Sequence, residues 1–566
     1  MLNSSKLYYG HRGNLLRLIA PLMIIFMLIS TQSNAQEDWE NDGEIEDVEI
    51  EIVKDREINL PKANRNFQKI PPVSTEPRVG DLQYFYNTIN FQIPSLDLKM
   101  RPLRIKDERL EKFYGNYVKA GFGNYVTPYF EGFVNSKRSN QYTYGAHVNF
   151  LNSKNGPVDD ENSGSGRFDL DLFGKAFGKK ATLSGDVGYH RRNYHFYGYD
   201  EGAEIDADSI KQVYNTFSLQ TAIENTNKSD QLQYKLGVTY DYLTDDYEAS
   251  EGKLGADLGT SYELSDDAYV KLNADVMVLS RKDQLIETTR NTFGISPIVG
   301  FKIAGFDIEA GFNAVYEDDT LGSSDDLHFY PLAKASYELS SVFEVYAGIR
   351  GDIERQSLSD IVSQNPFIKF NQPIFHNNKT FDFYGGINGK VNNNIGFTAG
   401  LSLANYRNLH YFINDPSDQS RFLVAYDTEN TAVVNLFGEL TLNNESLRTT
   451  FRGDYWGYDA SDEIGGEAWH RPNYQLSILS TYNLYDKILF NAEFYMYGGI
   501  KAIDLVNNEE ISLDPALDLS LKSEYLISKQ VSAFVEFNNI FSQSYELYYR
   551  YPSRKLQFMA GFTYSF

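Results

Sequence analysis

The chain has 566 residues, a net charge of -25 and no cysteine, so disulfides, thiol-metal sites, cysteine nucleophiles and a lipid-modified amino-terminus are excluded. The acidic balance argues against nucleic acid as a partner and suits solvated loops that attract cations. A mean hydropathy of -0.43 with no long internal apolar run excludes a bundle of membrane helices. Yet 42 Tyr, 38 Phe and 42 Gly are a strand-and-turn vocabulary. A membrane β-barrel reconciles the two, because only alternate residues of a spanning strand must be apolar.

Residues 1–35 read as a secretory signal. Lys6, Arg12 and Arg17 precede the apolar run 18–29, and Ser33-Asn34-Ala35 supplies small residues for cleavage between Ala35 and Gln36. A membrane-anchoring helix is the weaker reading, because Pro21 interrupts a run too short to span. The mature chain therefore leaves the cytoplasm.

Residues 36–112 form an acidic and then a proline- and aromatic-rich segment, read as periplasmic or lumen-entering. Between Glu37 and Glu51 there are nine acidic residues and no basic one, a solvated tail. Within it Val48, Ile50 and Ile52 alternate with Glu49 and Glu51, a candidate strand for docking on the sheet edge of a periplasmic partner, although a simple tether is the preferred reading. Six prolines between Pro61 and Pro102 punctuate Tyr84-Phe85-Tyr86 and Ile89-Asn90-Phe91, so this piece is extended rather than helical. Arg101, Arg104, Lys106 and Arg109 then stand before the first strand, either pairing with lumenal acids or solvated in the periplasm.

Residues 113–566 alternate segment after segment. Phe168, Leu170 and Leu172 oppose Asp169, Asp171 and Lys175; Val270, Leu272, Ala274, Val276 and Val278 oppose Lys271, Asn273 and Asp275. Ile488, Phe490, Ala492 and Phe494 oppose Lys487, Asn491 and Glu493, and Leu513, Leu517, Leu519 and Leu521 oppose Asp514, Asp518 and Lys522. Buried charge of this density needs partners in a soluble sandwich, whereas water solvates it in a wide barrel. Asp169, Asp171, Lys175, Lys271, Asp275, Lys487 and Glu493 are the candidate lumen-lining residues.

Tight turns at 178–180, 265–267, 304–305, 340–341, 392–394, 485–486 and 528–529 take turns with longer loops at about 153–166, 197–211, 317–328, 356–379, 406–431, 458–470, 498–511 and 541–554. Such asymmetry belongs to outer-membrane barrels, and the count gives roughly 22 strands from Tyr117 onward, with both barrel ends in the periplasm. The fold expected is all-β: a transmembrane antiparallel β-barrel of about 22 strands behind a short extended periplasmic segment.

The chain closes on Leu556–Phe566, whose even-numbered residues are apolar and whose odd-numbered residues are small, polar or Met559. With Tyr564 and Phe566 at its end, this strand resembles the assembly signal of outer-membrane barrels. The run Val535-Glu536-Phe537-Asn538-Asn539-Ile540-Phe541, then Tyr545, Tyr551-Pro552-Ser553-Arg554 and Gly561-Phe562-Thr563-Tyr564-Ser565-Phe566, resembles the end of a TonB-dependent receptor barrel. Leu517-Asp518-Leu519-Ser520-Leu521 is similar to that family's penultimate hairpin. The resemblance implies a transporter of siderophores, vitamins or glycans, energised by a TonB-type protein through a short amino-terminal box. Such receptors carry a folded plug longer than the 36–112 stretch, so a plugless or plug-reduced relative is expected. Loops such as 356–379 and 406–431, residues 60–112 or a partner protein must then occlude the lumen.

Catalysis finds little support. His147, His190, His195, His328, His376, His410 and His470 are scattered, and His190 and His195 fall on opposite strand faces. Acidic loops such as 204–208 and 317–319 lack a spaced calcium-ligand pattern, and no cofactor is expected. The tyrosines Tyr194, Tyr197 and Tyr199, and Tyr545, Tyr548, Tyr549 and Tyr551, read first as an aromatic girdle at the membrane interface and second as a sugar-stacking surface. The leading function is passage of an unidentified solute across the outer membrane, with bilayer lipid and a TonB-type or other periplasmic protein as partners. The alternative is a structural or assembly subunit whose lumen or tail a partner protein occupies.

Overall fold

The computed structural model describes residues 115–566 apart from 138, 201 and 320–325. The cleavage site at Ala35 and Gln36, the Val48, Ile50, Ile52 strand and the rest of the 36–112 segment lie outside the described residues.

Period-2 patterning becomes one closed antiparallel sheet of 22 strands. The first strand, Tyr117–Gly123, pairs with the last, Gln557–Ser565, from Tyr117↔Ser565 to Gly123↔Met559, and no sheet edge remains. In the strand Glu287–Ile303, Phe293, Ile295, Val299 and Phe301 face outward with 46, 46, 51 and 39% of their surface open, while Arg290 and Thr292 are buried on the other face. Large apolar side chains left open in this way call for lipid. Strands ~4.8 Å apart and tilted by about 40° give a 22-stranded barrel a diameter of about 40 Å, too wide for wall side chains to fill.

The two rims differ in chemistry. At the rim where Tyr117 begins and Ser565 ends, connections such as 304–305, 341–342 and 393–394 are two residues long. Ala304 and Gly305 both take the left-handed conformation (φ 50 and 84), as a two-residue hairpin matched to strand twist requires. The opposite rim carries the loops 154–164, 196–210, 355–376, 408–430, 460–473, 499–515 and 539–556, and also short connections at 124–126, 246–249 and 283–286. Leu513 and Asp514 fall in the 499–515 loop rather than on the strand Ala516–Leu526 that follows it. Lys487 likewise sits exposed in the 485–487 turn, because the preceding strand ends at Leu484 and the next begins at Ile488.

The closing strand sits tight against its neighbour. A Cβ on Gly561 would come 2.0 Å from the Ala120 carbonyl oxygen and 2.7 Å from Gly121 Cα. Gly561→Leu is therefore expected to prevent closure, at a cost of about 3 kcal/mol or more, and to abolish the heat-modifiable band of folded barrel on gels. Gly438→Ala is the control, since a Cβ there meets nothing within 4 Å, and it should leave that band intact. Tyr564 and Phe566 stack outward on this strand with ring centroids 5.8 Å apart.

Candidate functional site: the loop cap and the lumen wall

Loops from distant parts of the ring meet over the long-loop mouth. The 196–210 loop follows the fifth strand of the barrel and the 355–376 loop follows the thirteenth, so their contact spans the lumen. Phe196, Leu358, Ile361, Val362, Phe367, Ile368, Phe412, Phe422 and Tyr551 form one buried apolar cluster, with the wall residues Tyr214 and Leu243 packed into it.

The 355–376 loop is ordered by its own sequence. Ser357 and Asp360 form a reciprocal capping box at the start of the helix Leu358–Gln364. Leu358, Ile361 and Val362, at i, i+3 and i+4, make its apolar face. The strands Leu409–Asp415 and Asp418–Asp427 form a separate hairpin within the 408–430 loop. Phe422 N–H donates to Phe367 O at 3.0 Å and Lys369 N–H to Phe422 O at 2.8 Å, so hairpin and helix-bearing loop share a backbone bridge. Tyr551 lies 3.7 Å from Phe367, ring centroid to centroid, and its hydroxyl donates to Ser420 O. The 539–556 loop is thereby fixed to both.

Two buried arginines tether the cap to the wall. Arg281 donates to Gln372 O at 2.7 Å and to Asp283 Oδ2 at 2.9 Å. Arg290 donates to Ile374 O at 2.8 Å and to Asp319 Oδ2 at 3.0 Å, and its other amino group lies 3.7 Å from Glu251 Oε2. Glu251 Oε1 accepts the Leu358 N–H at 2.7 Å. Gln372 passes the tether on, donating to Phe422 O at 2.8 Å and accepting Val424 N–H at 2.7 Å. These charges are 0 to 8% exposed, so the pairing is desolvated.

Three neutral histidines complete the cap. His470 Nδ1–H donates to Phe412 O at 2.7 Å, Nε2 accepts Tyr549 N–H at 3.3 Å, and the ring meets Phe422 edge-on at 5.1 Å. Burial pushes its pKa down to about 4. His410 Nδ1 is 3.0 Å from Asn377 Oδ1, which also accepts the His410 backbone N–H at 3.3 Å, and Nε2 is 2.9 Å from the Gln364 side-chain amide. A neutral ring donates once and accepts once, so it can donate to only one of these two oxygens, Asn377 Oδ1 or Gln364 Oε1. Burial, with Arg471 nearby, takes this ring down to about 3. His376 Nδ1 accepts Gln356 N–H at 3.0 Å, its Nε2 lies 3.9 Å from Asp319 Oδ2, and burial beside Arg290 and Arg355 lowers it to about 3.

The tyrosines expected at the membrane interface belong here instead. Tyr194, Tyr197, Tyr548 and Tyr551 pack in the cap cluster, Tyr545 donates to Asp518 Oδ2 at 2.9 Å, and Tyr199 and Tyr549 line a cleft between loops. Alternation shows which strand face a tyrosine takes but not whether a loop tyrosine turns inward.

On the wall, Asp169 accepts from His190 Nδ1 at 2.8 Å and pairs with Arg192 at 2.7 Å, and Asp171 lies 3.5 Å from both His147 and His190. Lys271 pairs with Glu309. Asp275 pairs with Arg355, four strands away at the start of the 355–376 loop, a contact that runs across the inside of the barrel. Lys175 and Glu493 stand exposed on their strands, Glu493 beside Lys522 and Glu536. These side chains form separate pairs rather than one site, and among the described residues no group of His, Asp or Glu is arranged to hold a metal ion. Arg281, Arg290, Gln372 and Phe422 were not singled out by the sequence. The available signal was the strand-like run 421–426 inside a long loop, together with two arginines on inward-facing positions at the same rim.

A closed 22-stranded barrel with a charged inner wall and a loop cap defines a large transmembrane β-barrel. No family model matches the sequence, and no curated protein does. Among solved structures the chain is similar to the FrpB iron transporter from Neisseria meningitidis, with TM-score 0.63 and 10% identity over 81% of this chain and 82% of that one. It is similar to the ferric-catecholate import receptor Fiu from K12 E. coli, with TM-score 0.59 and 11% identity over 80% and 82%. It is also similar to P. aeruginosa FpvA bound to heterologous pyoverdines, with TM-score 0.59 and 12% identity over 80% and 71%. The fold of residues 115–566 is that of the TonB-dependent receptor barrel, as the chain's closing motif implied.

Proposed function

We propose that the protein is an outer-membrane transporter of TonB-dependent-receptor type, secreted by cleavage between Ala35 and Gln36, in which the loop cap gates the passage of a solute. The observation that carries this reading is the cap itself. A lumen about 40 Å across, lined by Asp169, Asp171, Lys271 and Asp275, is crossed at one mouth by a single buried core anchored on Arg281 and Arg290. The similar structures include an iron transporter and a ferric-catecholate import receptor, and neither cargo is carried over to this chain. The Val48, Ile50, Ile52 strand is the proposed contact for a TonB-type protein.

Single-channel recording from the refolded mature protein, beside a version lacking residues 36–112, tests the reading. Closed full-length protein with a conducting truncation assigns the gate to the amino-terminal segment. Two closed proteins leave it with the cap, and a cap-opened variant must then conduct. If none of the three conducts and a stoichiometric partner co-purifies, the barrel is an assembly subunit and the transport reading falls.

A further inference from the structure

Beside the cap core, with Tyr197 shared between them, the 154–164, 196–210 and 539–556 loops enclose a cleft of about 640 Å3, within the range of small-molecule sites. Its walls are tyrosine faces. Tyr197 is 4.7 Å from Tyr551 and 5.8 Å from Phe367, ring to ring, and its hydroxyl donates to Pro552 O at 3.3 Å. Tyr199 donates to Asp159 Oδ2 at 2.8 Å and accepts from Asn162 at 3.0 Å, while Tyr549 is held through its backbone N–H by His470. The Tyr199 ring is thus set by its hydroxyl, and the Tyr549 ring lies 5.7 Å from the Arg550 guanidinium.

The polar lining has one bias. Asp159, Asp200 and Glu546 supply three carboxylates against one guanidinium, Arg550. Arg550 is already engaged, donating from Nη1 to Asp200 Oδ1 at 2.6 Å and from its backbone N–H to Glu546 Oε2 at 2.9 Å. Among the described residues, the second oxygen of each carboxylate accepts no hydrogen bond. Asp159 and Arg550 both sit in the left-handed backbone region, at φ 44 and 72. An anionic ligand would meet uncompensated negative charge here, whereas N–H donors would meet free acceptors, and a cation is attracted to tyrosine faces.

We infer that the cleft binds a small organic polycation of the polyamine class, its ammonium groups on Asp159 and Glu546 and its methylene chain along Tyr199 and Tyr549. Because Tyr197 and Tyr551 also belong to the cap core, occupancy bears on the contacts that hold the cap together. That consequence rests on the transport reading, and the binding does not.

The test is calorimetric titration of the detergent-purified full chain with spermidine, beside maltose and citrate. Micromolar spermidine binding is expected, weakened at least tenfold in Asp159→Asn/Glu546→Gln and unchanged in Asp246→Asn/Glu248→Gln, which alters acids of another loop on the same rim. Absence of spermidine binding, equal weakening in both variants, or preference for maltose or citrate overturns the inference. A protein that binds spermidine but conducts under no condition loses the transport reading and keeps this one.

Discussion

Arg290→Ala is expected to convert a closed barrel into a conducting one. The guanidinium holds the cap loop through Ile374 O and neutralises Asp319 beside Glu251, all with little solvent access. Removing one partner of a buried network leaves the other charges uncompensated, at about 3 to 5 kcal/mol. Taken by the closed cap, 3 kcal/mol multiplies its open population by more than about 100. The 22-stranded ladder does not depend on this side chain, so the heat-modifiable band should persist while single-channel steps appear. An intact barrel that remains closed after Arg290→Ala, and after Phe422→Ala in the cap core, would show that the cap is not the gate. Phe422 is 0% exposed, and its truncation costs about 3 to 5 kcal/mol by the loss of packing.

Acidification is expected to open the same cap. His376 and His410 are held at about 3 and His470 at about 4, against about 6.5 for an exposed ring. A lowered histidine pKa means that the opened cap binds protons which the closed cap refuses. The stabilisation is complete above pH ~6.5 and is lost as pH falls from there toward about 4 for His470 and about 3 for His376 and His410. At pH 5 each ring has lost about 2 kcal/mol. Asp319 acts in the opposite sense. Burial lifts its carboxyl to about 6 despite Arg290, so the closed cap takes up that proton first and regains about 1 kcal/mol at pH 5. The remaining charged groups near the rings are Arg290, itself close to Glu251, and Arg355 around His376 and Arg471 beside His410, while His470 meets Phe422, Tyr548, the Phe412 carbonyl and the Tyr549 N–H. Three rings outweigh one carboxyl, so conductance should rise between pH 7 and pH 5. The double variant His410→Gln/His470→Gln, whose amides do not titrate, should flatten that rise. An unchanged midpoint in the double variant would place the sensor elsewhere.

The wall was legible in the sequence because its rule is local. A strand exposes alternate residues to lipid and lumen, and that constraint acts on every strand independently of its neighbours. The alternation around Asp169 and Asp275 therefore located the strands Ser165–Phe177 and Ala268–Lys282 from a few residues each. It failed at Lys487 and Asp514, where the apolar-polar pattern runs on past the end of the hydrogen-bonded ladder into a turn or a loop. It also failed for Tyr197, Tyr548 and Tyr551, which have no regular ladder to set their direction.

What the amino-acid sequence determined by itself is an all-β chain of about 22 antiparallel strands with long loops on one rim, closed by an aromatic terminal strand. What only the tertiary structure decided is how the lumen is crossed. Phe367, Phe422 and Tyr551 are far apart in the chain and meet in one core, and Arg281 and Arg290 reach loop carbonyls 91 and 84 residues away. No sequence period encodes such contacts. They arise because loops rooted on distant strands of a closed ring fold over the same mouth and bury their apolar residues together, and closure of the ring is what brings them within reach.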